Sequence, residues 1–315
     1  MRKKSLNKLT LSIGCFLLGA PVMANDFSPY SPAYIVDSGQ VLSDTRASVT
    51  WVNNRSYDHA NAHGYDYPSY SSKNTDLDIG QSFTIGLPED FQIGASVNYS
   101  DLVQANPYQA ASRVGELDNP TFFLDKFWNT DSVLWGKVSF SATPKTGDSG
   151  AKAAPSMYKI GLSGIYIADE SLVTSLGLTQ SIVDPIYPDA SNATSLNGVA
   201  SKTLGAYLVN VKLGIQRVEP WLYTSSYTSG SYNSNYQAQG NQSWMYSGGL
   251  ELSRKIASHA WVGAAYNIGY ANRSYTSTFS GSYSSPWYND NWNDLASSKS
   301  SSFQQRLLLS LKAIF

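Results

Sequence analysis

The sequence predicts an all-β fold, a transmembrane antiparallel up-and-down β-barrel of about 12 strands. Three observations carry that prediction. Runs in which apolar and polar residues alternate, the period of a strand with one oily and one wet face, recur along the chain. Short turns alternate with longer polar loops from one end to the other. After the amino-terminal segment, no stretch reaches the roughly 18 apolar residues that a spanning helix needs, so a chain that crosses lipid must close into a barrel to satisfy its backbone.

Composition agrees. The 315 residues suffice for one large β domain; 42% are hydrophobic and only 14% charged, with 22 Tyr and 8 Trp. Low charge with many aromatics argues against a soluble helical enzyme and suits a barrel with aromatic girdles and polar loops.

Residues 1–24 read as a signal peptide. Arg2, Lys3, Lys4 and Lys8 form a basic region, residues 11–18 an apolar one, and Val22-Met23-Ala24 a small-residue cleavage site. Removing these four bases, with no acid among them, takes the net charge from −1 to −5. A mildly acidic exported product shows no basic excess for nucleic acid. Cys15, the single cysteine, lies in this segment. The run Leu11-Ser12-Ile13-Gly14-Cys15 faintly resembles a lipoprotein box, but Ser12 stands where an apolar residue is usual and the apolar run continues past Cys15. The mature chain is therefore expected to hold no disulfide. Residues 25–43, rich in Pro, Tyr and Ser, show no period. They fit a periplasmic leader or a partial plug folded into the lumen.

The barrel is expected over residues 44–315. The first strand, 44–53, sets Ala47, Val49 and Trp51 against Arg46, Ser48 and Thr50; a polar loop, 54–74, follows. The second, 75–87, puts Leu77, Ile79, Phe83, Ile85 and Leu87 outward and Asp76, Asp78, Gly80, Ser82 and Thr84 inward. Pro88-Glu89-Asp90 supplies turn chemistry. The third alternates cleanly from Phe91 to Ser100; in the fourth, 118–128, the alternation blurs and its facing stays open. The fifth sets Leu134, Gly136, Val138 and Phe140 against Val133, Trp135, Lys137 and Ser139, and the sixth sets Tyr158, Ile160, Leu162, Gly164 and Tyr166 against Lys159, Gly161, Ser163, Ile165 and Ile167.

A seventh strand spans 171–183, and residues 184–200 read as a Pro-, Asn- and Ser-rich loop. The eighth alternates Tyr207, Val209, Val211, Leu213 and Ile215 with residues including Asn210 and Lys212; Val218-Glu219-Pro220 is then expected to turn into a ninth strand from Trp221 to about residue 230. The tenth runs over 244–256 with Glu251 inward, and Ala257-Ser258-His259 turns into the eleventh, with Val262 to Tyr270 outward. A last loop, 276–300, precedes the closing strand. Short turns thus fall near residues 88, 130, 169, 219 and 258 and longer loops near 64, 108, 150, 192, 236 and 288. Short periplasmic turns and long external loops are the habit of barrels in the Gram-negative outer membrane.

Residues 302–315 close the sheet. Leu307, Leu309, Leu311, Ala313 and Phe315 make an unbroken apolar row, opposite the mostly polar Gln304, Arg306, Leu308, Ser310 and Lys312. An amphipathic strand ending on an aromatic residue resembles the closing strand of outer-membrane barrels. The resemblance implies the cell outer membrane as location, outer-membrane lipid as surroundings, and the barrel-assembly machinery as a partner that meets the strand at Phe315. Closure requires this strand to pair with 262–270 on one side and 46–51 on the other.

The candidate site is the lumen. Alternation points Arg46, Asp76, Asp78, Lys137, Lys159, Lys212, Glu251 and Arg306 inward, with Asp125 joining them if the fourth strand faces that way. A basic residue facing lipid near the midplane costs roughly 2–4 kcal/mol, which favours this side. Such a wall serves as a paired structural network, as a polar constriction that selects solutes, or as both. Bases and acids are nearly balanced, so strong ion selectivity is not expected. His59 and His63 with Asp58 and Asp66 have metal-like spacing, but within a polar loop, and His259 sits in a turn. No compact triad is legible, so neither an enzyme nor a cofactor or metal is expected.

Two stretches carry a family resemblance. Gly115-Glu116-Leu117-Asp118-Asn119-Pro120-Thr121-Phe122-Phe123-Leu124-Asp125-Lys126 is similar to the segment before a strand in the MetA-pathway phenol-degradation family. Val138-Ser139-Phe140-Ser141-Ala142-Thr143-Pro144-Lys145-Thr146-Gly147-Asp148 resembles that family's strand and its Pro-, Thr-, Gly- and Asp-bearing loop, with Lys145 as an insertion. The resemblance implies an outer-membrane channel for hydrophobic or aromatic compounds. The expected function is a porin-like channel that passes small solutes by passive diffusion. The alternative is a barrel that anchors adhesin-like, ligand-binding surface loops.

Overall fold

The computed structural model describes residues 27–60, 70–106, 109–130, 133–146, 156–169, 171–183, 191–229, 232–285 and 288–315. The expected signal segment, 1–24, lies outside them. Among the described residues, fifteen strands form one antiparallel sheet: β1 (Val41–Ala60), β2 (Tyr70–Leu87), β3 (Phe91–Asn106), β4 (Gln109–Leu117), β5 (Thr121–Asn129), β6 (Leu134–Thr143), β7 (Met157–Asp169), β8 (Leu172–Val183), β9 (Ala193–Leu204), β10 (Tyr207–Val218), β11 (Trp221–Ser229), β12 (Tyr232–Gly240), β13 (Ser243–Ala257), β14 (Ala260–Ser285) and β15 (Tyr288–Ile314).

Twelve of these close into a ring, β1-β2-β3-β5-β6-β7-β8-β9-β10-β13-β14-β15, and β15 returns to β1. The expected closure is present in register: Leu311 faces Val262 on β14, and Ser310 faces Arg46 on β1. Phe315 and Val41 exchange backbone hydrogen bonds at 2.9 and 3.0 Å, which leaves no free edge there. β4 stands in line with β5 and pairs with the far half of β3. The two are parted at Asn119 and Pro120, where proline has no N–H to give the ladder. β11 and β12 form a hairpin outside the ring, with β12 laid along β14.

The ring has the expected twelve strands, but two readings need correction. Residues 193–204, read as part of a loop, form β9, while the expected ninth strand is β11, outside the ring. The short turn therefore lies at Gly205, not at Glu219-Pro220. Gly205 has φ +61°, a left-handed conformation that glycine adopts freely and that suits a tight hairpin. Residues 276–300, read as a loop, are mostly the far ends of β14 and β15, which stay paired out to Ser285 and Tyr288. β1 likewise runs to Ala60, and it begins at Val41, within the segment expected to precede the barrel.

Side chains sort as alternation requires. The outward rows of Leu, Ile, Phe and Tyr are solvent-accessible on the barrel's exterior, Leu213 at 67% and Leu176 at 59%, where hydrocarbon would cover them. The aromatics Trp51, Tyr99, Trp244 and Tyr270 are exposed on this same face. The strand left unoriented is now placed: Phe122 and Leu124 face out, and Asp125 and Phe127 face in. Lys126 shares the outward row yet is 1% exposed. It turns toward the adjacent Pro88–Asp90 turn, donates to the Glu89 carbonyl, and lies 4.6 Å from the Phe91 ring centre. Apolar stem and ring cover this base, and a turn carbonyl meets its charge.

Candidate functional site: the lumen and its amino-terminal plug

Residues 27–40 pack against inward-facing residues of the ring. Ala33, Ile35 and Val36 are 1–2% exposed. Ala33 and Ile35 pack with Phe127, Trp135, Ile165, Ile167 and Val173 from β5, β6, β7 and β8, and Phe27 meets Trp135 edge-on with centroids 6.0 Å apart. Alternation put Trp135, Ile165 and Ile167 on the rows of Lys137 and Lys159; the apolar character of this cluster becomes intelligible once the segment supplies a surface to bury against.

The segment reaches the opposite wall at Tyr30. Its hydroxyl shares a 2.8 Å hydrogen bond with Ser310 Oγ, and its ring lies where a side chain on Gly263 would be, with ring atoms 2.6–2.9 Å from the position of a β-carbon. Asn210 Nδ2 donates to the Tyr30 carbonyl at 2.9 Å, and Lys312 Nζ donates to the Pro29 carbonyl at 2.8 Å while lying 4.2 Å from the Tyr30 ring centre. Burial pushes the Tyr30 hydroxyl up to about 12, partly offset by the Ser310 hydrogen bond. Farther along, the backbone of Val36 and Asp37 presses on Gly86, where any side chain would collide with it. Gly39 N donates to the Gly86 carbonyl at 3.0 Å, and Gly86 N to the Gln40 carbonyl at 3.1 Å.

The eight expected lumen residues all lie on the inward rows of the observed register, and six of them form separate pairs. Arg46 binds Asp44, which also has Lys312 at 3.8 Å. Lys212 Nζ stands 2.7 Å from Glu251, whose carboxylate also accepts from Asn210 Nδ2 at 2.8 Å. Lys137 pairs with Asp125 at 2.8 Å and lies 5.0 Å from the Phe127 ring centre. Arg306 donates twice to Ser48 Oγ, at 3.0 and 2.8 Å, and stands 3.6 Å from Asp78, itself hydrogen-bonded by Ser48. Asp76 and Lys159 have no ion-pair partner among the described residues. Tyr30, Arg46, Lys212, Glu251, Asn267, Ser310 and Lys312 surround a cavity of about 170 Å³ above the plug.

Sequence reasoning missed Asp44, which binds two bases although it was read only as a strand boundary. It also missed Tyr30, for which the one sequence signal was a glycine, Gly263, among larger residues of β14. His59 falls at the end of β1, and His63 lies outside the described residues. His259 Nδ1 lies 2.9 Å from Ser258 Oγ in the exposed turn after β13.

No family model matches the chain, and no curated protein does, so the resemblance to the MetA-pathway family has no such match behind it. Solved barrels align with it at low identity. An outer-membrane channel from Pseudomonas putida F1 is 9% identical with a TM-score of 0.45, covering 92% of this chain and 100% of its own. The KdgM porin is 10% identical with a TM-score of 0.39, covering 83% and 98%. The outer membrane protease OmpT from Escherichia coli is 11% identical with a TM-score of 0.39, covering 88% and 97%. Channels and a protease stand side by side in this set, and function has to be argued from the lumen.

Proposed function

We propose that this protein is an outer-membrane channel that passes small solutes by passive diffusion, with residues 27–40 restricting its periplasmic end. The observation that carries this reading is the division of the inner wall. Above the plug it is polar, with acids and bases met in pairs, and its apolar residues are gathered where the plug covers them. A wall of this kind suits hydrated polar solutes. It offers little to the hydrophobic or aromatic compounds that the family resemblance would imply. The eight charged residues would line the path, and Phe315 would be the contact for the barrel-assembly machinery.

A second reading, a barrel that anchors a ligand-binding surface, draws on β14 and β15. Their 26 and 27 residues far exceed the roughly 9–11 that cross a bilayer. Planar-bilayer recordings separate the two. The channel reading expects solute-dependent conductance that rises when residues 27–38 are deleted; silence before and after deletion, from protein shown to be folded, favours the anchor.

A further inference from the structure

We propose that the lumen carries a binding row for a neutral, polyhydroxylated solute of sugar type, built from Ser163, Asn197, Ser247 and Gln304. This rests on the channel reading. Following backbone partners across the wall, Ser163 pairs with Gly177, Gly177 with Asn197, Asn197 with Gly214, Gly214 with Ser247, Ser247 with Gly269, and Gly269 with Gln304. Seven successive strands of the ring thus present hydroxyl or amide, then glycine, in strict alternation.

Neighbouring strands lie about 4.8 Å apart, so the polar side chains recur about every 9.6 Å. Asn197 Oδ1 and Ser247 Oγ close over Gly214 from the two flanking strands, 2.7 and 2.5 Å from where a β-carbon would sit, while at Gly269 the nearest atoms, from Gln304 and Tyr246, stand 3.8 Å away. The opening in the row is therefore at Gly269, bordered by Ser247 and Gln304, two groups that hydrogen-bond as sugar hydroxyls do. A cavity of about 120 Å³ lies over this part of the row.

Two features select the chemical class. Ser195, Asn197, Gln216, Ser247 and Gln304 line that cavity together with Ile215, Met245, Tyr246, Tyr270 and Ala271, and no acid or base does. The nearest charges, Lys212 and Arg306, face Glu251 and Asp78. A charged solute therefore finds no counter-charge there. None of the five polar side chains has a hydrogen-bond partner among the described residues. Amides and hydroxyls both donate and accept, as sugar hydroxyls do, while an apolar solute would strip them of water without replacement. The cavity lining contributes no charge-assisted contact, so binding is weak, as a transit site requires. Gly214 stands four residues beyond Asn210, about 13 Å from the plug contact.

The test is binding of a neutral trisaccharide to full-length protein in detergent, followed by saturation-transfer NMR and titration. A uronate trisaccharide and phenol serve as charged and aromatic probes. Asn197→Leu and Gln304→Leu are made separately, so that either suffices if the other fails to fold; heat-modifiable migration reports folding. Asn98→Leu, at another lumenal asparagine outside the row, is the control. The neutral sugar is expected to bind best, and each row variant to weaken it at least fivefold while Asn98→Leu leaves it unchanged. Absence of neutral-sugar binding, preference for either other probe, or equal loss in the control overturns the row. Conductance is read independently: a conducting barrel that binds no sugar sinks the row alone, and a sugar-binding barrel that never conducts sinks the channel alone.

Discussion

Tyr30 and Ser310, 280 residues apart in sequence, share a 2.8 Å hydrogen bond inside the barrel, and the Tyr30 ring fills the place where Gly263 has no side chain. The plug is therefore held on this wall by one ring and a few hydrogen bonds. Gly263→Val should expel the ring and Tyr30→Ala should remove it. Both are expected to raise single-channel conductance or its open fraction relative to wild type, with heat-modifiable migration retained. Unchanged conductance in both would mean that Tyr30 does not hold the plug.

Lys137 and Lys212 each balance one inward acid, Asp125 and Glu251. Lys137→Ala or Lys212→Ala leaves that acid facing the lumen, so reversal potentials in a salt gradient should move toward cation preference. Glu251 keeps its Asn210 hydrogen bond after loss of Lys212. Because Lys212 is itself 41% exposed, the expected stability loss is about 1 kcal/mol or less. An unmoved reversal potential would place both lysines away from the path.

Asp37 lies in the plug, and burial raises its carboxyl above the ordinary value. A raised acid binds its proton more tightly when docked. Docking is thus favoured at low pH and weakens as pH climbs from the ordinary value of 3.8 through the raised one. Mild acid should lower conductance, and Asp37→Asn should keep it low and flatten that part of the profile. A profile with the same slope in the variant would assign the pH response to another group.

Gly205 turns β9 into β10 at φ +61°, with no atom within 4 Å of where a β-carbon would sit. Gly205→Val should cost about 1–2 kcal/mol through the backbone alone, since the space is open. Gly205→Asn should cost less, because asparagine tolerates this region. Urea unfolding in detergent measures both, and equal stabilities would remove the turn assignment from the account.

The outward rows were legible because lipid demands an apolar residue at every second position, and Leu307 to Phe315 obeys that demand without a break. β9 was not, because its outward row includes Thr194, Gly198, Ala200 and Lys202 and its inward row Ser195, Asn197 and Ser201. With so little contrast between faces, a strand reads like a loop. The far parts of β14 and β15 were missed for a related reason. Residues 276–300 are rich in Ser, Asn and Asp, as a strand wetted on both faces would be, so no period marks it. The count of twelve survived because the strand lost at 193–204 was matched by one gained at 221–229. Charged lumen positions followed from alternation, whereas their partners did not, since pairing depends on which strands become neighbours. The plug has no secondary structure over most of its length and hence no period to read.

The ring is uneven in height. β6 and β8 have 10 and 12 residues, while β14 and β15 have 26 and 27 and keep β12 alongside them. Among the described residues, the strands therefore stand taller on one side of the ring than on the other. If the lumen conducts as proposed, a solute that arrives over the shorter strands would meet the taller ones first, and arrival from different quarters would not be equivalent. Direction of approach, and not width alone, would then be a property of the entrance.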